Sequence, residues 1–483
     1  MKVLEYINEL LTYIYLSPIF EVGVTSFAVL LLVLLLVINF FAYQAIRRFL
    51  FIKTFSQRNR LALMNNAPGI SIVTGAYNES ATILDNVHSL LTLNYHKFEL
   101  IVVNDGSKDD TLAKLIDEFD LEEVDIRFDI LIASQPIKKV YKSKNPAYQN
   151  LVVIDKINGG GKADAINAGL NLAKYNYFLN IDVDCVLDFN ALLIMMEVVL
   201  NEKKRCIGVG ATLRMSNASF VSRGTIEKVV SPKNIFVRFQ ELEYIRSFLL
   251  GKLAWSHINA LPNISGGLGL FDKEIVLEVG GYDHNSLGED MELLFRMVTH
   301  MRETKREYVI RSVPQTLCWT EGPENLKALV SQRIRWSRGL FQILKKYKHV
   351  LFNPKYGKMG LIIYPFNLFF EFMSPFVEFI GYFLLVFFFF TDHAILLGLL
   401  MVAFTVMSFY ISLSFLSVLF DRKISNYYHT SSSTLGIAFM AFLEPFFYHP
   451  IILYCSLKGT LDELTGKQKK WGEMKRKGFK QST

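Results

Sequence analysis

The chain has 483 residues, a formal charge of +7 and 51% hydrophobic residues. Its mean hydropathy of +0.26 is high for a soluble enzyme. The apolar residues gather at the two ends, which excludes a wholly soluble protein and implies an integral membrane protein with one soluble body. No basic stripe lies on a recognisable reading element, so the positive charge points to positive-inside topology and not to a nucleic-acid partner.

Residues 22–45 form an apolar run, longer than the roughly 20 helical residues that a hydrocarbon core requires. Lys2, Glu5, Glu9 and Glu21 precede it, and Arg47, Arg48, Lys53, Arg58 and Arg60 follow. This asymmetry predicts an outer N-terminus and a cytoplasmic middle domain. The acidic start, the long run and the lack of a small-residue cleavage site argue against a removed signal peptide. Residues 1–60 are therefore read as a transmembrane helix with a basic linker, and residues 61–345 as a cytosolic domain.

Within that domain, β-branched runs predict strands at 70–74, 98–103, 150–156 and 177–181, with helices at 81–93 and 163–174. Strand and helix alternating in this way predict an α/β fold with a mostly parallel sheet and ligands at its carboxyl edge. The lysine-rich stretch 136–148 shows no period and reads as an exposed loop.

Polar residues at the predicted strand ends carry the chemistry. Asp105, before Gly106, suits a hydrogen bond to a base or ribose, or else a turn that caps the next helix. Gly159-Gly160-Gly161-Lys162 lacks the spacing of a Walker A loop, yet a lysine at a helix start behind glycines suits a diphosphate. Asp182 and Asp184, two carboxylates at i and i+2 after an apolar strand, suit a hard cation such as Mg²⁺ or Mn²⁺. Glu289 and Asp290 open a helical pattern, where they read either as caps or as a base for an acceptor hydroxyl. In Gln332-Arg333-Ile334-Arg335-Trp336, helical spacing puts Arg333 and Trp336 on one face. An arginine there can clamp a diphosphate and a tryptophan can hold a sugar ring; the alternative is a basic helix beside a membrane with an interfacial tryptophan.

A second hydrophobic block follows. Residues 375–390 and 394–420 read as crossings, and 361–373, with Pro365 and Glu371, as an interfacial helix. The segment 434–456 contains Glu444, Pro445, His449 and Pro450. A crossing there would put the basic tail 458–483 outside, so an interfacial or re-entrant element is expected, with the tail in the cytosol. The whole of 346–457 is read as interfacial helices plus C-terminal crossings. The four cysteines show no metal-like or C-x-x-C spacing and are expected to be reduced.

Taken in order, Ala76-Tyr77-Asn78-Glu79, Asn104-Asp105-Gly106-Ser107, Gly161-Lys162-Ala163-Asp164, Asp182-x-Asp184, Glu289-Asp290 and Gln332-Arg333-x-Arg335-Trp336 resemble the membrane-embedded family 2 glycosyltransferases. These are processive β-glycan synthases making poly-N-acetylglucosamine, hyaluronan, chitin or cellulose. Trp319-Thr320-Glu321-Gly322-Pro323-Glu324-Asn325-Leu326 looks most like the bacterial poly-N-acetylglucosamine branch. The resemblance covers residues 68–344 and the flanking helices. It implies a GT-A nucleotide-diphospho-sugar transferase domain and an inverting, UDP-sugar-dependent hexosyltransferase that uses UDP-GlcNAc or UDP-glucose. The acceptor would be a growing glycan at the cell membrane. By the same resemblance, Ala76, Glu79 and Asp105 would line the uracil pocket and Lys162 would lie near the diphosphate or donor sugar. Asp182 and Asp184 would hold the metal and the diphosphate, and Asp290, beside Glu289, would be the general base. Gln332, Arg333, Arg335 and Trp336 would bind the leaving diphosphate and the acceptor. Asn104 departs from the second Asp frequent in the family. The crossings are few for a complete export channel, which points to an accessory or export subunit or a homo-oligomer.

Three other readings stay open. One is a single glycosylation of a lipid acceptor, and another is a non-catalytic scaffold that binds a nucleotide sugar. The presence of Asp184 and Asp290 argues against the scaffold. A transporter is disfavoured by the few intramembrane charges and the absence of a repeat.

Overall fold

Alternate residues of the central strands sink into opposite layers, and this builds the core. In β1 (Ile70–Ala76) and β2 (Phe98–Asn104), Ile70, Ile72, Leu100 and Val102 enter one apolar cluster and Val73, Ile101 and Val103 the other. Both faces being covered, the strands need continuous apolar runs. In the computed structural model the described residues are 67–467 except 223, 224, 392, 426 and 428–430, together with single positions between 6 and 47. Most of the predicted first crossing, and the basic segments 48–60 and 468–483, lie outside the described residues.

The remaining strands are β3 (Leu121–Glu123), β4 (Ile137–Ser143), β5 (Leu151–Lys156), β6 (Tyr177–Asp182), β7 (Cys185–Leu187), β8 (Arg205–Met215), the hairpin β9 (Phe220–Ser222) and β10 (Thr225–Lys228), β11 (Leu268–Asp272) and β12 (Tyr308–Thr320). The main sheet has the order β3-β4-β5-β2-β1-β6-β11-β8-β12-β7. Its centre, β5-β2-β1-β6, is parallel, and β4, β7 and β11 run against the rest. This is a GT-A-like, mostly parallel mixed sheet.

Helices α1 (Ile83–Leu91), α2 (Thr111–Glu118) and α4 (Ala191–Leu200) cover one face. The other is covered by α3 (Lys162–Leu172), α7 (Lys273–Glu278) and α8 (Glu289–Glu303). Helix α5 (Ile235–Arg246) continues through π-helical turns, Ser247–Lys252, into α6 (Leu253–His257).

The stretch expected to be a loop at 136–148 instead contains β4. Val140 is buried while Lys138, Lys139 and Lys142 face solvent, as befits a strand next to the three-residue edge strand β3 at the margin of the sheet. Its lysines hid the alternation.

Long helix α9 (Leu326–Lys346) begins at Asn325, whose side chain accepts a hydrogen bond from the Ala328 amide. It crosses the start of α8 where Gly339 meets Gly288. A Cβ at Gly339 would sit 2.7 Å from the Gly288 nitrogen, so only hydrogen fits between these backbones.

Beyond α9, π and α turns from Met359 lead past a bend at Met373 into α10 (Ser374–Thr391). There follow α11 (His393–Ile424), α12 (Ser431–Leu443) and α13 (His449–Leu464). Among the described residues, three helical segments are long and apolar enough to cross a membrane: Met359–Thr391, Ile395–Ile424 and Thr434–Leu464. The first includes 361–373 and the last includes 434–456, the two segments expected to lie in the interface. Buried polar contacts tie these helices to α5. Arg246 holds Glu444 through two 2.8 Å bonds and Ser414 at 2.7 Å. Cys185, Cys206, Cys318 and Cys455 are all buried and free.

Candidate active site

The carboxyl edge of the sheet collects the polar residues. The Asp105 amide donates to the Ala76 carbonyl at 2.8 Å, which sets the ends of β1 and β2 side by side. Asp105 Oδ1 accepts from Lys156 Nζ at 2.5 Å and from the Gly159 amide at 3.0 Å; Oδ2 accepts from Asn158 at 3.3 Å. Burial pushes the Asp105 carboxyl up, against the pull of Lys156. Lys156 is fully buried and also pairs with Asp164 at 2.5 Å. Lys156 was not singled out from sequence, since a lysine ending a strand ordinarily reaches solvent, and Asp164 entered only as the last residue of the Gly161-Lys162-Ala163-Asp164 motif, with no role given. Glu79 lies in the turn after β1 and accepts from Thr82 at 2.9 Å.

Asn104 donates to Asp155 Oδ1 at 2.7 Å. An aspartate at 104 would set two carboxylates against each other, which accounts for the departure at this position.

Asp182 ends β6, and Asp184 follows in the turn. Asp184 is buried and accepts from Thr320, the last residue of β12, at 3.2 Å. Ligand atoms of Asp182, Asp184 and Cys185 all lie within 4.8 Å of one another. Two carboxylates suit a hard divalent cation; the thiol is the softer, less suitable donor.

Lys162, at the start of α3, donates to Asp182 and to the Gly266 carbonyl, the latter at 2.6 Å. Burial opposes its charge, but Asp182 and Glu289 hold it above the usual lysine range. The amide of the same Gly266 donates to Asp290 Oδ2 at 2.9 Å. One residue, Gly266, therefore lies between Lys162, with its partner Asp182, and Asp290. At the next position, Gly267, a Cβ would lie 2.8 Å from Leu213. Glycines in a turn carry no local signal for this role, so sequence alone does not point to Gly266.

Glu289 is buried beside Asp290, and its Oε2 has no hydrogen-bond partner among the described residues. Burial, then the Asp290 charge, push its carboxyl up to about 7. The Tyr282 hydroxyl, buried and pushed well up by burial and by both acids, belongs to the same cluster. Lys252 lies over the Phe248 ring at 4.3 Å, and burial lowers its ammonium to about 8 despite Asp290.

A carboxyl held near 7 in the fold but near 4.5 outside it stabilises the fold below about pH 4.5 and loses that contribution as pH rises through 7. Glu289→Gln is therefore expected to raise the melting temperature more at pH 8 than at pH 5. Melting curves of the detergent-solubilised chain check this, and equal shifts would mean that the carboxyl is not held up.

Helix α9 divides the Gln332–Trp336 group. Arg335 Nη1 donates to the Leu287 carbonyl at 3.3 Å, and its charge bears on Glu289. Arg333 turns the other way, bonding Glu243 at 2.6 and 2.8 Å and the Tyr448 hydroxyl at 2.9 Å. Its guanidinium lies 4.4 Å from the Trp336 ring, so the expected shared face is present. Trp336 is 37% exposed. Gln332 Oε1 is buried without a partner among the described residues. Thus Lys162, Asp182, Asp184, Glu289, Asp290 and Arg335 come together. Ala76, Glu79 and Asp105 form a neighbouring group, and Arg333 pairs with α5.

A glycosyl transferase family 2 model matches residues 71–129 and 133–261, and a glycosyl transferase family group 2 model matches residues 225–420. The poly-beta-1,6-N-acetyl-D-glucosamine synthase of Staphylococcus aureus (strain COL) is 30% identical over 276 residues, 57% of this chain and 55% of that protein. The Staphylococcus epidermidis protein of the same name is 30% identical over 290 residues, 59% of each. The chain thus spans little more than half the length of these curated relatives. A mannosyltransferase from Pyrobaculum calidifontis, solved with GDP-Man and Mn²⁺, aligns with 89% of this chain and 100% of its own at 14% identity. Its TM-score is 0.48, too low to bear on the fold.

Proposed function

Because the chain belongs to glycosyltransferase family 2, whose two models together match it from residue 71 to residue 420, we propose that it moves a sugar from a UDP-sugar onto a growing β-linked glycan at the cytoplasmic face of a membrane. UDP-GlcNAc or UDP-glucose is the donor. The reading is carried by one observation, that the carbonyl of Gly266 accepts from Lys162 while its amide donates to Asp290. It gives the donor and acceptor groups a common wall.

In this reading Asp290 accepts the proton of the acceptor hydroxyl. The oxygen attacks the anomeric carbon from the face opposite the diphosphate, and the bond from that carbon to UDP breaks. Asp182 and Asp184 hold Mg²⁺ or Mn²⁺, which, when bound, offsets the negative charge of the diphosphate. Lys162 and Arg335 add fixed positive charge in a partly buried setting, where such stabilisation is strongest. The uracil meets Asp105 through Oδ2; Oδ1 already takes two donors. A single remaining acceptor suits the one N–H of uracil. Arg333 anchors Trp336 as a platform for the acceptor sugar. The similarity to poly-N-acetylglucosamine synthases supports a polymer as product. An export subunit or a second copy completes the passage across the membrane.

The test is UDP release by the purified full-length chain, with UDP-GlcNAc or UDP-glucose and Mn²⁺ or Mg²⁺. No release with any combination would sink the proposal. Sizing of radiolabelled product separates polymer from a short, lipid-extractable glycoside.

A further inference from the structure

The turn that presents Asp290 is gripped from α9, and α9 is gripped in turn by the last apolar helix. Leu287 is the focus. Its amide donates to Gln342 Oε1 at 3.0 Å, and its carbonyl accepts from Arg335. Gln342 Nε2 donates to Glu463 Oε1 at 2.9 Å. The other Glu463 oxygen accepts from Arg338 Nε at 2.9 Å, and Arg338 also donates to the Lys467 carbonyl at 2.7 Å. The Gln342 amide has one orientation that satisfies both neighbours. Reversed, it would set donor against donor at Leu287 and acceptor against acceptor at Glu463.

The backbones around this amide have no slack. Gly339 lies against Gly288, and a Cβ at Gly459 of α13 would stand 2.8 Å from the Ser337 side chain. Ser337 donates to the Ser456 carbonyl at 2.9 Å. Helix α9 is therefore clamped between the turn before Asp290 and α13. Gln342 joins both, through its Oε1 to the Leu287 amide and its Nε2 to Glu463.

We propose that Gln342 is a positioning residue for Asp290, coupling the turn that carries it to the C-terminal end of the last apolar helix through Glu463. The inference rests on the reading of Asp290 as the base. A shift of α13 along its axis moves Glu463, turns the Gln342 amide and displaces the Leu287–Gly288 peptide. The acceptor hydroxyl then loses its alignment with the carboxylate while the donor groups on β6 and α3 stay in place.

The experiment uses the full-length chain in detergent with UDP-GlcNAc and Mn²⁺, reading kcat and donor KM from UDP release per folded molecule. Gln342→Met keeps the length of the side chain and removes both bonds. It is expected to lower kcat roughly 10- to 100-fold, the scale of a small misalignment, with donor KM unchanged. Glu463→Leu should reproduce that loss and serves if Gln342→Met does not fold. Glu463→Gln, which keeps an acceptor for Gln342 but turns a donor toward Arg338, should keep kcat above that of Glu463→Leu. The double variant should lose no more than either single one, because both break one chain of bonds. A kcat at the wild-type level in either Gln342→Met or Glu463→Leu, a loss confined to KM, or full additivity would overturn the inference. Asp290→Asn is run alongside. If it is inactive while Gln342→Met is normal, this coupling alone fails; if it is fully active, the base assignment falls with it.

Discussion

Replacing Asp290 with Asn is expected to cut turnover by roughly 10²- to 10⁴-fold while leaving the donor KM near its wild-type value. The substitution separates chemistry from architecture. The introduced carboxamide can still accept from the Gly266 amide, which in the native chain meets Asp290 Oδ2 at 2.9 Å. What it cannot do is take a proton from an attacking hydroxyl. Steady-state UDP release with saturating donor measures the effect. Thermal protection by UDP with Mn²⁺ shows whether the donor still binds. Turnover within threefold of wild type would remove Asp290 from the chemistry, whereas loss of UDP protection would mean that the substitution had collapsed the site.

Lys156→Met is expected to destabilise the domain by about 3–5 kcal/mol, the usual cost of removing one member of a buried ion pair. Lys156 is fully buried between Asp105 and Asp164, 2.5 Å from each. Methionine fills the volume but leaves two carboxylates facing one another. Both would then bind protons more tightly in the fold than outside it, so the loss should shrink as pH falls. Melting curves at pH 5 and pH 8 check the sign. A variant as stable as wild type at pH 8 would show that water, not Lys156, balances these charges. Donor affinity should fall as well, because Asp105 loses the partner that fixes Oδ1.

These two residues mark where sequence reading succeeds and where it stops. Asp290 was legible because acidic residues at the mouth of a helical pattern carry a local signal, and so were Asp182 and Asp184 behind an apolar strand. The four strands read from sequence match β1, β2, β5 and β6 to within a residue or two, because β-branched and aromatic residues dominate them, whereas the buried β8, β11 and β12 were not read. Lys156 was not, because its burial depends on partners 51 residues before and 8 residues after it in the chain. Arg333 illustrates the same limit. Its place in the Gln-Arg-x-Arg-Trp motif points to a phosphate, while Glu243, 90 residues earlier, holds its guanidinium. Gly339 carried no warning either. A glycine inside a helix reads as a mild weakness, and only the assembled fold shows a second glycine pressed against it.

The buried state of the four cysteines makes the chain a ready background for mapping topology. With every native thiol buried, a single cysteine introduced at an exposed position, such as Lys348 just after α9, would be the sole thiol open to a membrane-impermeant maleimide. Labelling of sealed vesicles of known orientation would then report which side of the bilayer the large domain occupies, with no native cysteine removed.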